Sequence, residues 1–299
     1  MDWAKVRVKR YPNLIFVCGG NLKHQNIRSS LISPEFKYYN NFVIAENAMN
    51  WVDAKAFASD FLELEEYFAS VVNLILIISE SPGAFAEMGA FISNNFVKKK
   101  VLVAIEEQHY KENSFIRYGL LQNLQGTSVD PTYQICVLPD ITDPATGNVN
   151  ITVEKKREIS LLIKSSIENF NTKTIKFDIT KLYSRILLLL DVIFLSNALE
   201  KKDLFDFYYI LLRSHFNNEE FLKKKNFEKE FDRMLFILEK VNLLIKQIRG
   251  QKIFYTPTEK NTETFLKYPK SAQNHLATEI KKEIKDTFFT NRTEENNIK

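Results

Sequence analysis

Residues 73–91, NLILIISESPGAFAEMGAF, decide the fold. Leu74, Ile75, Leu76, Ile77 and Ile78 are apolar without a break, which suits a strand buried on both faces, as in a parallel sheet. A polar turn follows: Ser79, Glu80, Ser81, Pro82, Gly83. Ser81 has the side chain of a good N-cap and Pro82 suits the first helical position, so a helix is expected from there. Its first N–H groups then open at the strand's carboxyl end, where ligands of open α/β sheets bind. Glu87 is the one carboxylate on that helix, and Gly83 and Ala84 precede it by four and three residues. No bulky side chain lies on that side of it, so a sugar or phosphate can come close.

Outward from this stretch, strands and helices alternate. Residues 13–18 (NLIFVC) read as a strand ending in Gly19-Gly20, and residues 42–45 as a short second strand. Residues 51–70 read as a helix, with Phe57, Phe61, Leu64 and Phe68 recurring every three or four positions. Residues 100–105 (KVLVAI) and 134–138 supply two more strands. Strands separated by helices imply right-handed crossovers and a Rossmann-like parallel sheet with helices on both faces. Residues 140–150 (DITDPATGNVN) are rich in turn formers and mark a connection. A helix over 154–170 is expected to lead away from the sheet. Beyond it the pattern is helical, over 181–197, 202–214 and 226–244, and residues 244–257 (LIKQIRGQKIFYTP) read as a hairpin turning at Arg249-Gly250. Three helices and a hairpin outline a winged-helix-like domain; a small bundle with a stray hairpin is the alternative. The expected organisation is an α/β domain over 1–150, a helical, winged-helix-like domain over 151–285 and a flexible tail over 286–299.

Composition sets the outer bounds. The 299 residues are 45% hydrophobic and 13% aromatic, enough for two domains with substantial cores. No apolar run reaches the roughly 20 residues that cross a bilayer, and Asp191 interrupts the longest one. The first residues lack the apolar core of a signal peptide. The two cysteines, Cys18 and Cys136, lie in strand-like runs, so buried free thiols and a reducing, cytoplasmic setting are expected. Charge is uneven: net −3 over residues 1–150 and net +7 over 151–299. The basic half faces either a polyanion or plain solvent. His24, His109, His215 and His275 are scattered without ligand spacing, so no metal site is expected.

With these motifs in place, the chain resembles the nucleoside 2-deoxyribosyltransferase-like effectors of bacterial retrons. The resemblance rests on the apolar strand ending in Cys18-Gly19-Gly20, on residues 79–91 (SESPGAFAEMGAF) and on Ser-Phe-Ile-x-x-Gly at residues 114–119. Over the C-terminal half the likeness is architectural. It implies an N-glycosidase-type toxin that splits NAD into nicotinamide and ADP-ribose, with NAD as substrate and no cofactor. It also implies anti-phage defence by depletion of NAD, restraint by a reverse transcriptase with its branched msDNA/ncRNA product, and a homo-oligomer or higher-order complex. The alternatives are a deoxyribosyltransferase or hydrolase acting on free deoxynucleotides, and a non-catalytic nucleotide-sensing scaffold.

Glu87 matches the family's catalytic glutamate. Cleaving an N-glycosidic bond passes through an oxocarbenium-like sugar, which a carboxylate either stabilises or attacks. Deoxyribosyltransferases tend to carry an aspartate where Glu80 and Ser81 stand. The nicotinamide nitrogen is already cationic in NAD and leaves without needing a general acid, so the missing aspartate favours NAD. Substrate contacts are expected from Gly19, Gly20, Asn21, Glu46, Glu80, Ser81 and Gly83. The glycines would either let backbone approach a phosphate or ribose or form a plain tight turn, and neither a G-x-G-x-x-G nor a Walker sequence is present. Glu46 and Asn47 either bind ribose hydroxyls, or solvate a loop or cap a helix; Glu80 is otherwise a turn residue. Arg117 and Tyr118 either touch phosphate and base or are structural. Lys223, Lys224, Lys225, Lys246, Arg249 and Lys252 either meet nucleic-acid phosphates or a partner, or are solvated.

Overall fold

In the computed structural model, which describes residues 3–22, 26–44, 46, 61–126, 134–139, 149, 151–171, 175–213, 224–260 and 262–268, the strands in chain order are β1 (Arg7–Val8), β2 (Ile15–Cys18), β3 (Phe42–Ile44), β4 (Leu74–Ile78), β5 (Val101–Glu106), β6 (Ile135–Leu138), β7 (Leu199–Glu200), β8 (Leu244–Arg249), β9 (Lys252–Pro257) and β10 (Leu266–Lys267). The helices are α1 (Ile27–Leu31), α2 (Phe61–Val71), α3 (Pro82–Ser93), α4 (Glu107–Lys111), α5 (Gln122–Gln125), α6 (Val153–Asn171), α7 (Leu182–Ser196), α8 (Lys201–Arg213) and α9 (Lys224–Lys240). The chain divides into two compact units. One comprises residues 13–50 and 72–173; the other comprises residues 1–12, 51–71 and 174–299.

The first unit is built on a five-stranded parallel sheet of order β3-β2-β4-β5-β6. The unbroken apolar run of β4 lies at its centre and all five residues are buried. Counted along the chain this is the 2-1-3-4-5 order, whose switch point lies between β2 and β4. Alternate residues form one core on one face: Ile15 and Val17, Leu74, Leu76 and Ile78, Leu102 and Ala104, Cys136 and Leu138. Ile27 and Leu31 of α1 and Ile159 and Ile163 of α6 complete it. The helix expected to lead away from the sheet therefore packs on it: the i, i+4 pair Ile159/Ile163 is fully buried there. The sheet unit accordingly runs past residue 150. Both cysteines are buried and neither is in a disulfide, as expected.

Lys100, at the foot of β5, is buried. Its Nζ donates to the Val72 carbonyl (2.7 Å) and sits over the rings of Phe96 (4.7 Å) and Phe170 (4.9 Å). Burial holds its pKa well below the ordinary 10.5. As pH rises from that lowered value towards 10.5, the unfolded chain binds a proton that the native chain has released, so stability increases with pH across that window. Chemical denaturation at several pH values up to about 9, below the range where unfolded tyrosines ionise, should show this rise in the wild type. Lys100→Met, which fills the same space without a charge, should remove it.

In the second unit α2 packs against α7 and α9; it was expected as a crossover helix of the sheet. Leu64 and Phe68 are its buried stripe. In α7 every residue from Ser184 to Ile193 is buried. Asp191, in the middle of that run, accepts from the backbone N–H groups of Phe265 (2.7 Å) and Leu266 (3.0 Å) and from the Tyr268 hydroxyl (2.8 Å). Burial pushes its carboxyl up to about 7 against the pull of these donors. Tyr208 of α8 stacks on Phe227 of α9 (5.8 Å), and Phe205 meets Phe231 edge-on (5.3 Å). Arg185 pairs with Glu230 (2.6 Å).

The expected hairpin is present as β8 and β9, with β7 added in the order β7-β9-β8. Arg249 and Lys252 are the last pair, and Gly250 between them has φ +61°, which a side chain rarely tolerates. The last long helix stops at Lys240, four residues short of the sequence expectation. Asn242 adopts φ +56°, and Leu244 already belongs to β8. The tail over 286–299 lies outside the described residues.

Candidate active site at the carboxyl edge of the sheet

Three strand ends meet at the switch point. β2 runs into Gly19-Gly20, β3 ends just before Glu46, and β4 runs through Ser79 and Glu80 into α3. Ser81 caps α3 as expected: its side chain accepts from the Ala84 N–H (3.2 Å), and Pro82 follows at the first turn. Gly83 is exposed, and among the described residues a Cβ built there would meet only the Ser81 Oγ at 3.9 Å, so on that side the approach over this turn is open.

Glu87 projects from the second turn of α3 and is half-buried. Burial pushes its carboxyl above the ordinary glutamate value. A hydrogen bond from the Cys18 thiol and the charge of Arg28 pull it down, and the Glu46 charge raises it. Cys18 is the last residue of β2 and only 1% exposed, so the thiol reaches Glu87 from inside the sheet. Glu87 is thus anchored to the strand ends.

Glu80 has a different task. Its Oε1 accepts from the N–H groups of Gly20 (3.0 Å) and Arg28 (3.2 Å), and its Oε2 from Ile27 (2.8 Å). Ile27 and Arg28 open α1, whose N-terminal N–H groups have no partner within the helix. Glu80 therefore ties α1 and the Gly20 loop to the end of β4, a favourable place for a carboxylate. Burial raises its carboxyl while these donors lower it, with a net shift upward. Asn26 completes the cap, accepting from the Ser29 N–H (2.8 Å) while its own N–H donates to the Ser29 Oγ (2.9 Å). Asn21 is exposed, and its carbonyl accepts from Asn26 Nδ2 (2.9 Å).

Arg28 was not anticipated from sequence. It is fully buried, and its guanidinium donates to the carbonyls of Val17 (3.0 Å), Gly19 (3.4 Å) and Gly20 (3.0 Å). Nη1 also reaches Glu46 Oε1 (2.5 Å), and Nη2 pairs with Glu46 Oε2. Partial burial raises the Glu46 carboxyl, but the Arg28 hydrogen bonds and charge outweigh it and hold Glu46 below the ordinary range. The need for glycine at 19 and 20 follows from the same packing. A Cβ at Gly19 would lie 2.8 Å from Arg28 Cδ, and one at Gly20 2.9 Å from Asn26 Nδ2 and 3.1 Å from Glu80 Cγ. These positions are glycine because Arg28, Asn26 and Glu80 fill the space.

Downstream, Arg117 donates to the Lys111 carbonyl (2.8 Å) and lies over the rings of Tyr110 and Tyr118 (5.9 and 5.2 Å). Tyr118 donates to Asn113 Oδ1 (2.8 Å). They stand on a π-helical turn, Ile116–Leu121, whose Gly119 lies under the Phe115 ring. On the hairpin Lys246 and Arg249 are exposed, while Lys252 pairs with Glu200 (2.9 Å). Lys224 and Lys225 begin α9; Lys223, Asn47, His24, His215 and His275 lie outside the described residues. Among the described residues, no group of His, Cys, Asp and Glu side chains could hold a metal ion, and no helix is long and apolar enough to cross a membrane.

Two Escherichia coli proteins are similar in sequence. One, named "Retron Ec86 putative ribosyltransferase/DNA-binding protein", is 34% identical over 121 residues, covering 38% of this chain and 39% of that protein. Its retron Ec73 counterpart of the same description is 23% identical over 235 residues, covering 70% of this chain and 69% of that protein. The chain thus matches about two fifths of one relative's length and about two thirds of the other's. Residues 24–247 match the family of the STM3845 retron effector protein, a span that takes in α1, all of the site but Cys18 to Asn21, and the helices of the second unit. The chain belongs to that retron effector family.

Proposed function

We propose that this protein is the toxin effector of a retron anti-phage system, and that its sheet unit hydrolyses the N-glycosidic bond of NAD or a related nucleotide. The single observation that carries this is the placing of Glu87: half-buried, anchored by Cys18, at the switch point of a parallel sheet and beside an open turn. In the reaction the bond between C1′ and the base nitrogen breaks and its electron pair leaves with the base. Glu87 faces the positive charge that develops on the sugar, in a partly desolvated place where that charge is felt more strongly than in water. Water supplies the oxygen at C1′ and loses a proton. Nicotinamide, cationic before cleavage, departs neutral and requires no protonation, consistent with Glu80 being engaged by backbone N–H groups. The names of the two retron relatives, which carry ribosyl transfer and DNA binding, support the same bond chemistry.

The second unit is read as a winged-helix-like module that docks on the reverse transcriptase with its msDNA/ncRNA. The order α7-β7-α8-α9-β8-β9, with β7 closing the hairpin into a three-stranded sheet, supports this. Lys246 and Arg249 supply its exposed charge. Restraint by that complex, release on infection and assembly with further copies of the chain belong to the same reading.

The test is base release measured by liquid chromatography, with protein freed from its reverse transcriptase complex. Nicotinamide from NAD is the expected product. Release from deoxynucleosides alone would make the protein a deoxyribosyltransferase or hydrolase of that class. Nucleotide binding without turnover would make it a sensing scaffold.

A further inference from the structure

Besides the strand-end carbonyls, the buried Arg28 holds the side chain of Glu46. A guanidinium fork on a carboxylate sets both the position and the plane of the acid. Arg28 is itself inside the protein with 0% exposure, so the clamp does not follow solvent. Glu46 nevertheless keeps 46% of its side chain exposed. Its two oxygens offer about four acceptor positions; Arg28 occupies two and the residue's own backbone N–H a further one, so acceptor capacity remains on the open side. An ionised carboxylate cannot donate, so whatever binds there must be a donor. The paired guanidinium also moderates the repulsion an anionic ligand would otherwise meet.

Glu46 follows β3, an edge strand beside β2, and Glu87 follows β4 on the other side of β2. Their carboxylates are near enough to feel each other's charge. A sugar whose C1′ meets Glu87 therefore lies within the field of a second acid, and the ring carbons that follow C1′ are C2′ and C3′. On a ribose both carry hydroxyl donors; a 2′-deoxyribose has one fewer. We propose that Glu46, clamped by Arg28, is a specificity-determining residue that accepts the 2′- and 3′-hydroxyls of the reacting ribose, so that the site takes ribonucleotides in preference to 2′-deoxyribonucleotides. This rests on the glycosidase reading and adds the substrate class to it. A site built to hydrogen-bond a hydroxyl discriminates strongly against the analogue that lacks it, and partial exposure here limits the ratio to roughly 10–100-fold.

The test is a binding measurement, so it does not depend on turnover. In the Glu87→Gln protein, calorimetry with NAD and with its analogue lacking the 2′-hydroxyl on the nicotinamide ribose should give affinities differing by roughly 10–100-fold. Adding Glu46→Gln should shrink that ratio to about threefold or less, with NAD the ligand that weakens. If this double variant does not fold, Glu46→Asp, which keeps the charge but withdraws the oxygens, should narrow the ratio in the same direction. Equal affinities in the Glu87→Gln protein, or a ratio that survives Glu46 replacement, would overturn the assignment while leaving the glycosidase reading in place. If neither nucleotide binds, both readings fall.

Discussion

Glu87→Gln is expected to lower nicotinamide release by about 10³-fold or more while leaving the fold and nucleotide binding in place. The amide has the same shape, and its carbonyl oxygen can still accept from the Cys18 thiol, so the anchor at the end of β2 survives. Only the negative charge is lost, and that charge is what the proposed reaction uses. An unchanged melting temperature with a lost rate assigns the effect to chemistry; a parallel loss of stability would assign it to packing. Glu80→Gln should behave differently. Glu80 holds α1 and the Gly20 loop through three backbone N–H groups, so its replacement should lower stability and rate together.

Asp191→Ala is expected to cost the second unit at least about 3 kcal/mol. It orphans two buried backbone N–H groups and the Tyr268 hydroxyl, at roughly 1–3 kcal/mol for each unsatisfied donor. At about 2–4 °C per kcal/mol for a unit of this size, thermal unfolding should shift down by about 6 °C or more. Asp191→Asn should recover part of this, since the amide oxygen can serve one side of the carboxylate while its NH₂ faces a donor on the other. Hydrogen exchange should show the loss first at Phe265 and Leu266, whose amides the carboxylate holds.

Much of the sheet was legible because its strands are short apolar runs with polar ends. β4 could be placed from Leu74 to Ile78 alone, and α3 could be started at Ser81-Pro82 because caps are local chemistry. The residues that fix the site were less legible. Arg28 sits in a polar stretch without periodicity, and its partners lie 8 to 18 positions away, at the end of β2 and beyond β3. Glu80 could be placed at the strand exit, but its three donors come from residues more than 50 positions earlier. Asp191 showed only as a break in an apolar run; the chain segment it anchors arrives more than 70 residues later. The helix over α6 carried a readable stripe at Ile159 and Ile163, but periodicity does not say which surface a stripe meets.

The most direct measurement is the structure of the Glu87→Gln protein with NAD bound. The account requires C1′ of the nicotinamide ribose within about 3–3.5 Å of the residue 87 side chain, at the edge where β2 and β4 end. A nucleotide seated elsewhere, or one whose ribose turns away from that side chain, would contradict it.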